Sequence, residues 1–323
     1  MIFIMNKIDL CTLPTPLQQI SEINSNNLYI KRDDMTDLVL GGNKARKLEY
    51  FMQDAVDKNS DYIVTYGSVH SNHCRITAAA ASKLGLPCLL ILSKPKNKPS
   101  YNGNYFLYDL LDAEVHYVEN NDVSKTIDQQ LELLKEKGNN PYFIYGGGHG
   151  NLGTQAYIDA YQEIEVQKEK LNIEFEYIFL ASGTGTTQAG LIIGREMLNN
   201  KEKIIGISVA RNKDRGTKVI KESINNYSKE YDKMLNINKR EIIFLDRYIG
   251  KRYADLYPEI KDTIKAVAKK DAILLDPVYT GKAFYGMKDY LINNNISNKN
   301  VLFIHTGGTP ILFSNAEKFR EDC

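Results

Sequence analysis

The chain has 323 residues, 43% of them hydrophobic and 25% charged, with a formal net charge of +1. That length buries one large α/β core or two medium ones, and the balanced charge excludes the broad basic field that nucleic acid or an anionic membrane selects. No apolar run approaches the length of a bilayer span. The apolar start Met1–Met5 meets Asn6 and Lys7 too early for a secretory core. Cys11, Cys74, Cys88 and Cys323 show neither zinc nor disulfide spacing, so a cytoplasmic, reduced protein is expected.

In chain order, short β-rich runs predict strands at Leu28–Lys31, Tyr62–Tyr66, Cys88–Leu92, Glu114–Val118, Tyr142–Tyr145, Tyr177–Ala181, Ile204–Val209, Ile242–Leu245 and Val301–Ile304. Helical patterns lie between them. From Arg46, Leu48, Phe51, Met52 and Ala55 recur on one face; from Thr154, Tyr157, Ala160, Tyr161 and Ile164 do the same. Gly85 follows Ala78–Leu84 where a helix stop belongs, with Pro87 beyond. Ser93–Ser100 reads as a solvated loop. Strand–helix alternation predicts mainly parallel sheets covered by helices, with ligands bound beyond the carboxyl ends of strands.

Four loops at such ends carry small, hydroxyl or basic residues. In Gly41-Gly42-Asn43-Lys44-Ala45-Arg46-Lys47, two glycines permit a tight turn and Lys44 enters a helix start. The helix dipole, Arg46 and Lys47 are expected to lower the Lys44 pKa, as amine chemistry requires; a merely solvated basic turn is the alternative. Ser182-Gly183-Thr184-Gly185-Thr186-Thr187 lies between a strand and a helix, a phosphate-binding geometry. It lacks the Walker lysine and GxGxxG spacing, which favours a single phosphate over a nucleotide and weighs against an oxidoreductase.

Gly67-Ser68-Val69-His70-Ser71-Asn72-His73-Cys74-Arg75 precedes an alanine-rich helix, which Ser71 or Asn72 can cap. Its two histidines have no third ligand nearby, so zinc is rejected. Cys74 reads as a small buried residue rather than an activated thiol. The fourth is His305-Thr306-Gly307-Gly308-Thr309-Pro310, and its partner in the C-terminal half is Leu275-Asp276-Pro277-Val278-Tyr279-Thr280-Gly281-Lys282. His149, in a glycine-rich stretch, either faces a substrate or is solvated.

The ordered motifs GGNKARKLE, GSVHSNHCR, SGTGTTQAG, LDPVYTGKA and HTGGTP, spanning about Pro14 to Phe313, resemble the D-cysteine desulfhydrase and 1-aminocyclopropane-1-carboxylate (ACC) deaminase family. The resemblance implies a fold type II, tryptophan-synthase-β-like enzyme with two doubly wound α/β domains and pyridoxal 5'-phosphate (PLP) between them. The large domain is expected at 1–46 plus 155–323, and a small inserted domain at 47–154. A homodimer acting on a small amino acid is also implied.

Position by position, the resemblance makes Lys44 the Schiff-base lysine and proton carrier. Asn72 contacts the PLP 3-hydroxyl, and Ser71 holds the substrate carboxylate and assists at the reacting carbon. Ser182, Gly183, Thr184, Gly185, Thr186 and Thr187 form the phosphate loop, with Lys47 adding charge. Tyr253 and Tyr279 line the substrate side with Ser71, Asn72 and His73, and Thr306 or Thr280 meets the pyridine nitrogen. ACC deaminases place a glutamate where this chain has Thr280. A hydroxyl there implies a weaker electron sink, suited to thiolate elimination from D-cysteine rather than ring opening. Other β-substituted substrates such as cysteate or diaminopropionate, a replacement synthase, and a PLP-free binding protein are the rival readings.

Overall fold

A computed structural model describes residues 5–320 except 96, 98, 234 and 236. Met1–Ile4, two positions of the Ser93–Ser100 loop, and Cys323 therefore lie outside the described residues.

Among the described residues, ten strands form two sheets. The larger comprises β1 (Leu17–Ile23), β2 (Asn26–Lys31), β7 (Tyr177–Ser182), β8 (Lys203–Ser208), β9 (Ile243–Leu245) and β10 (Asn300–Ile304), in the order β1-β2-β10-β7-β8-β9. The smaller comprises β3 (Tyr62–Ser68), β4 (Cys88–Ser93), β5 (Glu114–Val118) and β6 (Pro141–Ile144), in the order β5-β4-β3-β6. Every pairing is parallel except β1 with β2. The pattern is the α/β, mainly parallel architecture expected from the alternation.

The helices are α1 (Asn43–Asp57), α2 (Asn72–Lys83), α3 (Gly103–Leu110), α4 (Val123–Glu136), α5 (Asn151–Leu171), α6 (Thr186–Met197), α7 (Lys213–Glu230), α8 (Pro258–Asp271), α9 (Thr280–Asn293) and α10 (Thr309–Ser314). Because strand side chains alternate between faces, each central strand feeds two cores. Ile178, Leu180, Leu302 and Ile304 meet α5, α6 and α7 on one face; Phe179, Ala181, Val301 and Phe303 meet α8 and α9 on the other. In the small sheet Ile63, Leu90 and Leu92 pack on α1 and α2, while Val64, Leu89 and Ile91 pack toward α4. The apolar positions read from the sequence in α1 and α5 are all buried.

The strand β1 was missing from the sequence-based set. Its sequence LQQISEI is half polar because it is an edge strand with intermediate and exposed positions. The signal for it sits in the turn, where Asn24 and Ser25 both take positive φ (51° and 57°), the geometry of a two-residue hairpin whose twist matches its strands. Gly85, with φ of 69°, follows α2 as its sequence position suggested. Among the described residues no helix is long and apolar enough to cross a membrane.

Candidate active site

The loops after β2, β3, β7 and β10 converge on one cleft between the two sheets, about 520 Å³ in volume. Its lining includes Lys44, Ser71, Asn72, His73, Ser182–Gly185, Thr187, Tyr253, Tyr279 and Thr306. A separate depression of about 420 Å³, between β1, α8 and α9, contains none of them.

Lys44 sits in the first turn of α1. Gly42 (φ 122°) turns the chain into that helix, and the Asn43 amide donates to Thr306 O at 3.0 Å. Gly307 packs so tightly there that an added Cβ would lie 2.6 Å from Gly42 Cα, so the two loops interlock only through glycine. Arg75 on α2 braces the same turn, donating to Gly41 O (3.1 Å) and Val39 O. Sequence reasoning missed this role, because the contact links residues 34 and 36 positions apart.

Burial lowers the Lys44 pKa to about 8. The expected contribution of its basic neighbours is not how this is achieved. Arg46 turns to the opposite flank of the helix and binds Asp33 (2.8 Å) and Glu163 (2.9 Å). Lys47 is instead the group depressed by its neighbour: burial first, then Lys44, push its pKa down.

Lys47 is fully buried, and its Nζ has no hydrogen-bond partner; its nearest aromatic contact is the Tyr157 ring, 6.0 Å from Nζ to centroid. The hydroxyl of Ser182, at the end of β7, is likewise buried and unpartnered. Beyond it Gly185 (φ 87°) opens α6, whose first N–H groups have no partner within the helix. Asn43 Nδ2 donates to Thr187 Oγ1 at 3.1 Å, tying the Lys44 turn to this loop. His149 faces the loop too: its Nδ1 lies 3.0 Å from Thr186 Oγ1, and burial, Lys47 and Arg211 together push its pKa down. Arg211 donates to Gly183 O from behind. With Arg215 it adds positive charge to the cleft wall, a feature sequence reasoning missed.

Across the cleft, Ser71 caps α2 by accepting from Cys74 N at 3.2 Å, so the structural role weighed for it is real. Asn72 follows on the first turn. His73 is only 3% exposed; Thr65 Oγ1 spends its proton on Ile144 O, so His73 Nε2 donates to Thr65 and its buried Nδ1 is left unpartnered. Cys74 is buried and pushed up to about 12, which excludes an activated thiol.

Tyr253 and Tyr279 form the outer wall, their hydroxyls 2.6 Å apart and their rings edge to face at 6.3 Å. Burial raises both pKa values, Tyr279 further because of Tyr253, so both remain protonated. Thr280 departs from expectation. It is fully buried, outside the cleft lining, and its hydroxyl accepts from Asp276 N (2.8 Å) while donating to Asp276 Oδ2 (2.8 Å). Its one proton is committed, because Asp276 is gathering the N–H groups that open α9. Of the two threonines proposed for the pyridine nitrogen, only Thr306 lines the cleft.

Residues 8–307 match the family model described as pyridoxal-phosphate dependent enzyme. The chain is 37% identical to a provisional ACC deaminase of Pyrococcus abyssi, over 98% of this chain and 95% of that one. It is 35% identical to the D-cysteine desulfhydrase of Serratia proteamaculans, over 95% of each. A solved structure of an ACC deaminase homologue superposes with a TM-score of 0.89 at 35% identity, covering 97% of this chain and 95% of the other. The residues fit the cofactor. An amine with a pKa brought down to about 8 in the cleft suits its aldehyde, and a buried, unpartnered lysine amine and hydroxyl near a helix start suit its phosphate. The chain thus belongs to the pyridoxal-phosphate dependent enzymes, in the group that holds ACC deaminases and D-cysteine desulfhydrases.

Proposed function

We propose that this enzyme cleaves a β-substituted amino acid, D-cysteine foremost, to pyruvate, ammonia and hydrogen sulfide. One observation carries the choice: among the described residues lining the cleft there is no aspartate or glutamate. A carboxylate beside the pyridine nitrogen would keep it protonated and deepen the electron sink that ring opening of ACC needs. Position 280, where the deaminases have that carboxylate, carries a threonine whose proton is already used.

Bound PLP supplies the sink for negative charge at the substrate Cα. The protein does the rest. Lys44 would anchor the cofactor and take the substrate Cα proton; a pKa near 8 leaves a useful neutral fraction at physiological pH. Ser71, capping α2, holds the substrate carboxylate where helix N–H groups and the dipole favour an anion, and Asn72 beside it meets the 3-oxygen of PLP. The Tyr253–Tyr279 pair, its hydroxyls 2.6 Å apart, can donate a hydrogen bond to a departing thiolate, which leaves as the anion and takes its proton from solvent. Lys47, Ser182 and the turn Gly183–Thr187 hold the phosphate, and Thr306 faces the pyridine nitrogen. Residues 47–154, which carry the small sheet with α2, α3 and α4, form the small domain. We further propose a cytoplasmic homodimer, for which light scattering should give twice the chain mass.

The test is a panel of D-cysteine, L-cysteine, ACC, cysteate and diaminopropionate, scored for keto acid and sulfide. Sulfide and pyruvate from D-cysteine are expected. Ketobutyrate from ACC, with no sulfide from either cysteine, would replace this reading with the deaminase named for the archaeal relative.

A further inference from the structure

Asn104, on α3, is fully buried and does not line the cleft. Its side-chain nitrogen lies 2.8 Å from His70 O and 2.9 Å from Asn72 Oδ1. A backbone carbonyl only accepts, so the Asn104 atom facing His70 O must be the amide nitrogen. The second N–H of that nitrogen points to Asn72, which must answer with its oxygen. The amide orientation of Asn72 is therefore set by chemistry two residues removed from the cleft, not by a free choice of flip. Asn72 lines the cleft, and no described residue takes up its Nδ2.

The arrangement carries a cost that points the same way. Asn104 Oδ1 is buried without a partner, so the residue is not there to satisfy its own hydrogen-bonding capacity. Tyr108, one turn along α3, donates to Ser71 O at 3.0 Å and fastens the same loop through its backbone.

We propose that Asn104 is a positioning residue that turns the Asn72 side-chain NH2 into the cleft, where it donates to the 3-oxygen of bound PLP. The proposal rests on the reading of Asn72 as the contact to that oxygen. A donor there stabilises the deprotonated oxygen, whereas a turned amide would offer an acceptor and favour the protonated form. Asn104 thus helps to set the ionisation of the bound cofactor without touching it.

The test follows the visible absorbance of the holoenzyme as pH is varied, alongside thermal unfolding. Asn72→Ala should move the titration midpoint upward by about one pH unit, the scale of one lost charge-assisted hydrogen bond. Asn104→Ala should move it in the same direction by at least half as much, and the double variant should add nothing to Asn72→Ala alone. Asn104→Leu keeps the bulk but offers no donor, and it should shift the midpoint at least as far as Asn104→Ala. Tyr108→Phe, which loosens the same loop without bearing on the amide, should lower the melting temperature and leave the midpoint in place. If Asn72→Ala shifts the midpoint while neither Asn104 variant does, or if the effects add, the proposal is wrong. If Asn72→Ala itself has no effect, the assigned contact of Asn72 fails and the proposal with it.

Discussion

The two flanks of the first turns of α1 carry buried cations in opposite circumstances. On one flank Arg46 meets Asp33 and Glu163, Lys31 meets Glu163, and Tyr157 donates to Asp33 at 2.6 Å. On the other, Lys44 and Lys47 face each other and no carboxylate, with the Ser182 hydroxyl and His73 Nδ1 also unpartnered. Burying a charge is tolerable when the fold pairs it, and costly otherwise. The paired flank finds its counter-charges in the polypeptide, with Arg46 Nε alone left unpartnered there, and ties β2 and α1 to α5. In the function proposed above, the unpaired flank is completed by a ligand that brings an electrophile and an anion. Identical burial thus separates scaffold from site according to who supplies the partner.

Four measurements would break or sharpen that contrast. Lys44→Ala should have the largest effect, lowering turnover by about 10³-fold or more, since it removes both the anchor and the proton acceptor. Its melting temperature should stay within a few degrees of the parent; a variant retaining full turnover would remove Lys44 from the mechanism. Arg46→Met should do the reverse. It takes away the salt bridge of Asp33 and leaves Glu163 with Lys31 alone, and should cost about 3–5 kcal/mol in urea unfolding, as breaking a buried ion network does. Burial alone would raise those two carboxyls, but Arg46 and Lys31 outweigh it and hold both below the ordinary range. Between the folded and unfolded values the unfolded chain binds more protons, so stability rises with pH there. This contribution is full above the unfolded carboxyl pKa of about 4 and is lost as pH falls through the lower folded values. Arg46→Met should flatten that acid limb.

Lys47→Met should separate the flanks most cleanly, because its two effects have opposite signs. The apoprotein should be no less stable, having lost an unpaired buried amine. PLP affinity, measured by equilibrium titration, should fall by about 10- to 100-fold, the scale of one hydrogen bond to a charged group. A large loss of apoprotein stability would mean that Lys47 is scaffold after all. The smallest effect is on pH. With Lys44 at about 8, the rate of PLP uptake by the apoprotein should climb roughly tenfold per pH unit below that value and level off above it. A midpoint near the ordinary lysine value would show that Lys44 is solvated.

Much of the site was legible because parallel strands deliver their loops to one edge, so strand-end motifs identify cleft residues without coordinates. Lys44, Ser71, Asn72, Ser182–Gly185, Thr187 and Thr306 lie in such loops, and they do meet in one cleft, whereas Tyr253 and Tyr279 in the same lining are read from the family resemblance alone. Edge strand β1 escaped because half its positions see water, and a residue's own periodicity does not show pairing with a neighbour. Arg75, Asn104 and Arg211 escaped because their partners are distant in sequence and each acts through a backbone carbonyl, which every residue possesses.

The sequence by itself determined the order of the elements, the loops that carry chemistry and the residue types in them, since periodicity and turn chemistry are local properties. Only the tertiary structure decided which charges are paired. It sent Arg46 away from Lys44, closed the Thr280 hydroxyl on Asp276, and left Lys47 without a partner. Those outcomes depend on desolvation and on hydrogen-bond geometry across the fold, which exist only once distant segments are packed together.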